Sequence, residues 1–277
     1  MELWYTEDQT PQIRLSCKIK ETLHTAQTPF QHLAVIDTEA FGRMLVLDGM
    51  VQTCIVDEFV YHEMISHVPL FSHPQPKNVL VIGGGDGGAI REIVKHPQVE
   101  RAVLVEIDGE VIESSRKFLP EIAIALDHPK VEVKVEDGIR YLNERNNEFD
   151  VILVDSTEPV GPAIGLFSQN FYGSVFEALR PDGILVAQTE SPFYNQDILL
   201  RACTGMKAVF PKTATYLASI PTYPSGLWSF TMASKEYDPL ANQRQPAAGF
   251  MSRYYTPELH RSCFNLPRFV QEILEQI

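Results

Sequence analysis

Six consecutive residues, Gly83-Gly84-Gly85-Asp86-Gly87-Gly88, follow directly on the apolar run 78–82. A strand, a glycine turn and then a helix is how doubly wound folds hold nucleotides, because glycines let the backbone turn tightly and approach the ligand. Glu106 lies 21 residues after Gly85, at the end of the next apolar run, where an acid can bind both ribose hydroxyls. Gly83, Gly85 and Gly88 also satisfy the GxGxxG spacing of a dinucleotide site. Asp86 argues against that ligand, since its carboxylate stands where a pyrophosphate would lie and like charges repel. A phosphate-free nucleoside with a positive charge suits the loop better, and adenosyl sulfonium compounds have that character. If Asp86 faces the tail of such a compound, it repels a tail carboxylate and attracts an amine. The loop then favours decarboxylated S-adenosylmethionine over S-adenosylmethionine itself.

Two further strand ends carry acids. Asp137-Gly138 closes the run 131–135, where a carboxylate can accept from an adenine amino group, cap the following helix, or do both. The run 149–154 ends at Asp155-Ser156-Thr157-Glu158-Pro159 and continues through Gly161-Pro162. Ligands of open α/β sheets bind outside the carboxyl ends of strands. Asp155 and Glu158 are therefore candidates for proton abstraction and amine binding. Either alone reads equally well as a turn former, but their alignment with Asp86, Glu106 and Asp137 at neighbouring strand ends favours chemistry. Pro159 and Pro162 would stiffen a lid over the crevice.

The elements that must position these acids show two grammars. Residues 11–56 alternate apolar and polar positions, with hairpin turns at Phe41-Gly42-Arg43 and Leu47-Asp48-Gly49. Residues 57–71 have helical spacing, and Asp57 is placed to cap that helix. The segment His73-Pro74-Gln75-Pro76 breaks it. Continuous apolar runs at 79–82, 102–107, 131–135, 151–154 and 184–188 then alternate with helical stretches at 89–95, 109–118, 138–144 and 168–179. Such runs mark strands buried on both faces of a parallel sheet. A helix at 196–209, an antiparallel pair at 214–220 and 227–233, and two short helices split by Pro267 complete the pattern. The expected fold is α/β: a doubly wound, mostly parallel, Rossmann-like sheet of the S-adenosylmethionine methyltransferase type. A small antiparallel β-hairpin domain, residues 1–56, precedes the catalytic domain with its C-terminal helices, residues 57–277.

Composition sets the outer bounds. The 277 residues are 44% hydrophobic and 21% charged, which suits an ordinary globular chain. A formal net charge of -13 disfavours a nucleic-acid partner and favours small cations. No apolar stretch reaches the ~20 residues that span a bilayer, and the N-terminus has no basic and apolar leader pattern, so a cytoplasmic protein without membrane contact is expected. The four cysteines form no CxxC pair and read as buried thiols. His62 and His67 flank a glutamate but are five residues apart, whereas the zinc motif HExxH needs four, so no metal ligand set is expected. Ser225 does not lie in a nucleophile elbow. His24, His32, His73, His96, His128 and His260 read as ordinary surface or core residues, and Trp4, Tyr5, Trp228 and Phe230 as packing.

The chain resembles the spermidine synthase family over nearly its whole length. The resemblance is carried by Leu45-Val46-Leu47-Asp48-Gly49, Asp57-Glu58-Phe59-Val60-Tyr61-His62-Glu63-Met64, the loop 83–88, Asp155-Ser156-Thr157-Glu158-Pro159 and Ile220-Pro221-Thr222-Tyr223-Pro224-Ser225-Gly226. It implies aminopropyl transfer from decarboxylated S-adenosylmethionine, a co-substrate rather than a cofactor, to putrescine. The implied products are spermidine and methylthioadenosine. Gln31, Gly83, Gly85, Glu106, Asp137, Gly138 and Pro162 would hold the methylthioadenosine part, with Asp86 beside the aminopropyl tail. Tyr61, His62, Asp86, Asp155, Ser156, Thr157, Glu158 and Tyr223 would line the polyamine channel, and Asp155 would be the general base. The resemblance also implies a homodimer or homotetramer. Some relatives have Gln where His62 stands and Asp where Glu158 stands, which bears on acceptor length. Other readings of the residues remain open at this level: a methyltransferase of the same fold (a putrescine N-methyltransferase included), a nicotinamide dehydrogenase, and a noncatalytic polyamine binder.

Overall fold

Alternating apolar residues in the first fifth of the chain build an antiparallel sheet, while the later continuous apolar runs build a second, buried one. In the structure, a computed structural model that describes residues 2–157 and 165–277, the first sheet has five strands in sequential order. They are β1 (Leu3–Thr10), β2 (Ile13–Gln27), β3 (His32–Thr38), β4 (Gly42–Leu47) and β5 (Met50–Cys54). The expected turns are in place: Gly42, Asp48 and Gly49 all have positive φ. Two features exceed the expectation. β1 begins before residue 11, and β2 runs on past Ile19 to Gln27. Both segments are rich in polar residues and largely exposed, so no alternation marks them.

Helix α1 (Glu58–Ser72) follows, and all but one of its fifteen residues are buried. The expected cap by Asp57 is not made. Its Oδ1 accepts from Cys54 Sγ at 2.8 Å, and Oδ2 accepts from the Thr222 amide and hydroxyl at 2.9 and 2.8 Å. A buried carboxylate takes donors that tie two distant segments together in preference to amides of its own helix.

The second sheet has seven strands, in the order β11-β12-β10-β9-β6-β7-β8. β6 (Asn78–Gly83), β7 (Arg101–Glu106), β8 (Val131–Val135), β9 (Phe149–Asp155) and β10 (Leu179–Gln188) are parallel. β12 (Leu227–Ser234) and β11 (Lys212–Ser219) close it antiparallel. The connecting helices are α2 (Gly88–Ile93), α3 (Gly109–Phe118), α4 (Pro120–Ala123), α5 (Gly138–Asn143), α6 (Gln169–Ala178) and α7 (Gln196–Lys207), followed by α8 (Pro257–Ser262) and α9 (Arg268–Leu274). Apolar clusters cover both faces, one built on α1 and α2, the other on α5, α6 and α7. Val79, Val81, Val151 and Leu153 point to the first and Leu80, Ile82, Ile152 and Val154 to the second, which explains runs with no polar positions.

The strand order runs one way from β6 through β7 to β8, and the other way from β6 through β9 to β10. The crevice of such a sheet opens where the order reverses, here between β6 and β9. There Gly83 pairs in register with Asp155. The first sheet roofs this crevice: Leu33, Val35, Leu45 and Leu47 pack on Val111 of α3 and on Leu119 and Ile122. No described helix is long and apolar enough to cross a membrane.

Candidate active site

A cavity of about 270 Å³ fills the space between the strand ends and the roof. It brings together nearly every residue singled out above: Gln31, Tyr61, His62, Gly83, Gly85, Asp86, Glu106, Asp137, Gly138, Asp155, Ser156, Thr157 and Tyr223 all line it. Glu158 and Pro162, and with them the expected lid, lie outside the described residues.

One half of the cavity is built on β7 and β8. Glu106 is buried, its Oε1 accepting from the Asp108 amide at 2.9 Å. Burial pushes its carboxyl up to about 7. Asp108 caps α3 by accepting from the Glu110 amide, and its other oxygen accepts from Thr28 Oγ1 at 2.8 Å and Gln31 Nε2 at 2.9 Å. Gln31 is thereby pinned from the roof to the strand end. Asp137 is exposed and caps α5 through the Ile139 amide at 2.8 Å. The capping role is thus filled by one carboxylate oxygen, which also accepts from the Arg140 amide at 3.4 Å. Gly138 is buried against Ile82, where any side chain would collide.

The other half centres on Asp155. The Tyr61 hydroxyl donates to Oδ1 at 2.7 Å, while Oδ2 has no hydrogen-bond partner among the described residues. Oδ2 approaches Gly84, where a Cβ would lie 2.7 Å from it. The glycine loop thus makes room for the acid. Gly84 also has φ +66°, a conformation other residues adopt only under strain. Burial first, and then the neighbouring charge of Asp86, raise the Asp155 carboxyl to about 6, with the cation of His62 acting in the opposite sense. Asp86 is itself buried and accepts from the Gly88 amide at 2.8 Å. Tyr223 donates to the Gln52 carbonyl at 2.5 Å, and its ring lies 5.6 Å from that of Tyr61. Two aromatic faces beside two carboxylates are groups of the kind that attract organic cations.

Several cavity residues had escaped the sequence reading. Trp228, expected only to pack, is a wall residue whose indole meets Tyr223 edge-on at 4.8 Å. Gln188, at the end of β10, donates to the Ser156 carbonyl at 3.1 Å and steadies the loop after β9. Its place at a strand end was the available signal. Gln52 reaches the cavity from the roof, and no pattern in its neighbourhood marks it. Tyr5 and Phe230 do pack as expected: Tyr5 donates to the Gly49 carbonyl, and Phe230 lies against Tyr216.

Comparison with known proteins gives concordant results. Residues 58–244 match the family described as "Spermine/spermidine synthase domain", and residues 3–54 match "Spermidine synthase tetramerisation domain". The chain is 60% identical to a polyamine aminopropyltransferase of Caldicellulosiruptor saccharolyticus over 99% of both proteins. It is 54% identical to one from a Thermoanaerobacter species over the full length of both. A spermidine synthase crystallised with the transition-state analogue AdoDATO superposes with a TM-score of 0.97 at 41% identity, covering 99% of this chain and 96% of the other. The spermidine synthase of Thermotoga maritima superposes with a TM-score of 0.95, covering 99% and 95%.

Proposed function

The chain belongs to the spermine/spermidine synthase family, and from that premise we infer that it transfers the aminopropyl group of decarboxylated S-adenosylmethionine to putrescine. Spermidine and methylthioadenosine are the products of this reading. The observation that carries it is Asp155: a carboxylate at the switch point of the sheet, one oxygen held by Tyr61 and the other without a hydrogen-bond partner among the described residues.

Each step follows from the chemistry of the groups. An alkylamine has a pKa near ~10.4, so the acceptor arrives as an ammonium and must lose a proton before it attacks. Asp155 Oδ2 takes that proton. A carboxyl raised to about 6 is a better match for an ammonium than an ordinary aspartate, yet is still mostly ionised at neutral pH. The nitrogen then attacks the methylene bonded to sulfur. The C–N bond forms as the C–S bond breaks, and the bonding pair stays on sulfur, which becomes the neutral thioether of methylthioadenosine. In this reading Glu106 accepts from the ribose hydroxyls, and Asp137, Gly138 and Gln31 surround the base. Asp86 faces the donor's tail amine, where a carboxylate would be repelled. Tyr61, Tyr223 and His62 line the path of the diamine with Ser156 and Thr157. The match of residues 3–54 to a tetramerisation domain supports an oligomer, a homodimer or homotetramer, assembled through the first sheet.

Purified protein incubated with the decarboxylated donor and putrescine should release methylthioadenosine and spermidine in equal amounts. With S-adenosylmethionine as donor it should yield no methylputrescine. Asp155→Asn keeps the shape but removes the proton acceptor, and should lower kcat roughly 10²–10⁴-fold with donor affinity nearly unchanged. Methyl transfer, or a near-normal kcat in Asp155→Asn at neutral pH, would overturn the reaction or the base respectively.

A further inference from the structure

Behind the cavity wall lies a chain of buried charges that the reading above leaves without a task. His62 Nδ1 lies 2.6 Å from Glu58 Oε2, and His62 Nε2 lies 3.3 Å from Asp86 Oδ2. The side chains of His62 and Glu58 are only 2% and 6% exposed. Arg91 grips both oxygens of Glu58, at 3.0 and 2.8 Å, and its Nε donates to Glu92 at 2.8 Å. Signs alternate outward from the cavity: Asp86, His62, Glu58, Arg91, Glu92. The sixth residue of the glycine loop belongs to this chain too, since a Cβ on Gly88 would lie 2.2 Å from the His62 ring. That glycine exists to admit the imidazole.

A neutral imidazole has one N–H and one lone pair. Held between two carboxylates, it must aim the lone pair at one of them, and only the imidazolium offers a proton to both. Glu58 is not the group to relieve the conflict by taking a proton, because the Arg91 guanidinium holds both of its oxygens and favours the carboxylate. The groups facing His62 are Glu58 and Tyr61 from α1, Asp86 from the glycine loop and Asp155 from the end of β9, with Arg91 of α2 on the far side of Glu58.

We infer that Glu58, braced by Arg91, is a positioning residue for the reaction: it holds His62 as a fixed imidazolium against Asp86, and this cation keeps Asp155 free to accept a proton. The inference rests on Asp155 being the base. Two carboxylates sharing a cavity hold protons more tightly than either alone, so Asp86 by itself would tend to silence Asp155. The imidazolium between Glu58 and Asp86 offsets that effect. It also disfavours a second cation beside it, so the attacking nitrogen is favoured in its neutral form.

Long-range proton–nitrogen spectra of the full chain, with the His62 signal assigned by its loss in His62→Gln, should show both ring nitrogens protonated at pH 8. In Glu58→Gln the ring should have lost a proton at that pH and stay singly protonated down to pH 6, because burial opposes the imidazolium once Glu58 no longer supports it. The ratio of variant to wild-type kcat/KM removes the amine's own titration, which both proteins share. For Glu58→Gln the acid limb should move up by about one pH unit, a ~fivefold loss near pH 6 that approaches tenfold below it and recovers by pH 9. His62→Gln should produce the same shift, and the double variant should add nothing to it. A neutral His62 in the wild type, or a Glu58→Gln profile lowered equally at every pH, would overturn the inference. If Glu58→Gln does not fold, the wild-type spectrum and the His62→Gln profile decide the matter. The spectrum reads the charge of His62 whether or not aminopropyl transfer occurs, and loss of the base reading would show separately as turnover retained in Asp155→Asn.

Discussion

Four acids meet around one cavity, and their surroundings give them different tasks. Asp137 lies at the rim capping a helix, Asp86 faces a histidine, and Asp155 keeps an oxygen without a partner among the described residues. Glu106 has the plainest conflict between stability and function. Its carboxyl, raised to about 7, binds a proton more tightly folded than unfolded. Such a group contributes stability that is fully present below about 4.5 and lost as the pH rises through about 7. At pH 8 the ligand-free protein therefore bears the full cost of a buried anion. Glu106→Gln should raise the Tm at pH 8 and change it little at pH 5. The same variant should weaken donor binding about tenfold or more, because an amide replaces the two charged acceptor oxygens meant for the ribose. Thermal melts at both pH values and calorimetric titration of the donor would check the pair of effects. A Tm unchanged at pH 8 would mean that Glu106 is solvated by water within the cavity.

At the scale of the element, α1 is the main carrier of the site. It brings Tyr61 and His62 to the cavity, and Glu58 behind them, while burying almost its whole circumference. A helix buried on every side needs its polar residues satisfied by tertiary partners. Glu63 shows how: Oε1 accepts from the Arg253 amide at 2.7 Å, and Oε2 from the Tyr254 and Tyr255 amides at 2.8 Å each. One carboxylate thus ties the segment after residue 250 to the back of the helix. Glu63→Gln would turn an amide NH₂ toward these donors. It should cost about 3 kcal/mol, given one lost charged acceptor and buried amides left unpaired. Chemical denaturation monitored by tryptophan fluorescence would measure it. A cost below about 1 kcal/mol would show that the segment finds other acceptors or water.

At the scale of the whole molecule, the first sheet holds more apolar surface than one chain covers. Leu3 is 57% exposed, Trp4 55% and Ile13 41%, and β1 lies at the sheet's edge. Edge strands bearing large apolar side chains associate unless something covers them. Light scattering at micromolar concentration should give a multiple of the 31.3 kDa chain mass, a dimer or tetramer. Trp4→Glu should shift the distribution toward smaller species. A wild-type monomer at that concentration would rule out assembly through this face.

The sequence alone determined the α/β class, the parallel strands, the glycine loop and the acids at four strand ends. These are local properties: period, turn chemistry and position within a run travel with a short stretch of chain. It also carried the family resemblance, which rests on contiguous motifs. Length and polarity hid β1 and the far half of β2, whose exposed residues have no period to show. The Asp57 cap was misread because a carboxylate's partner depends on what arrives from residue 222, far along the chain. Trp228 reads as packing from its neighbours and becomes a cavity wall only when β12 is laid beside β10. The pairing of Glu58 with His62 was within reach, four residues apart on an expected helix, but the contact of His62 with Asp86 was not. The state of a titratable group depends on which charges and how little water surround it, and only the tertiary structure brings those together. The raised carboxyls of Asp155 and Glu106 were therefore decided by the fold, and so was the role of a glycine whose missing side chain makes room for an imidazole.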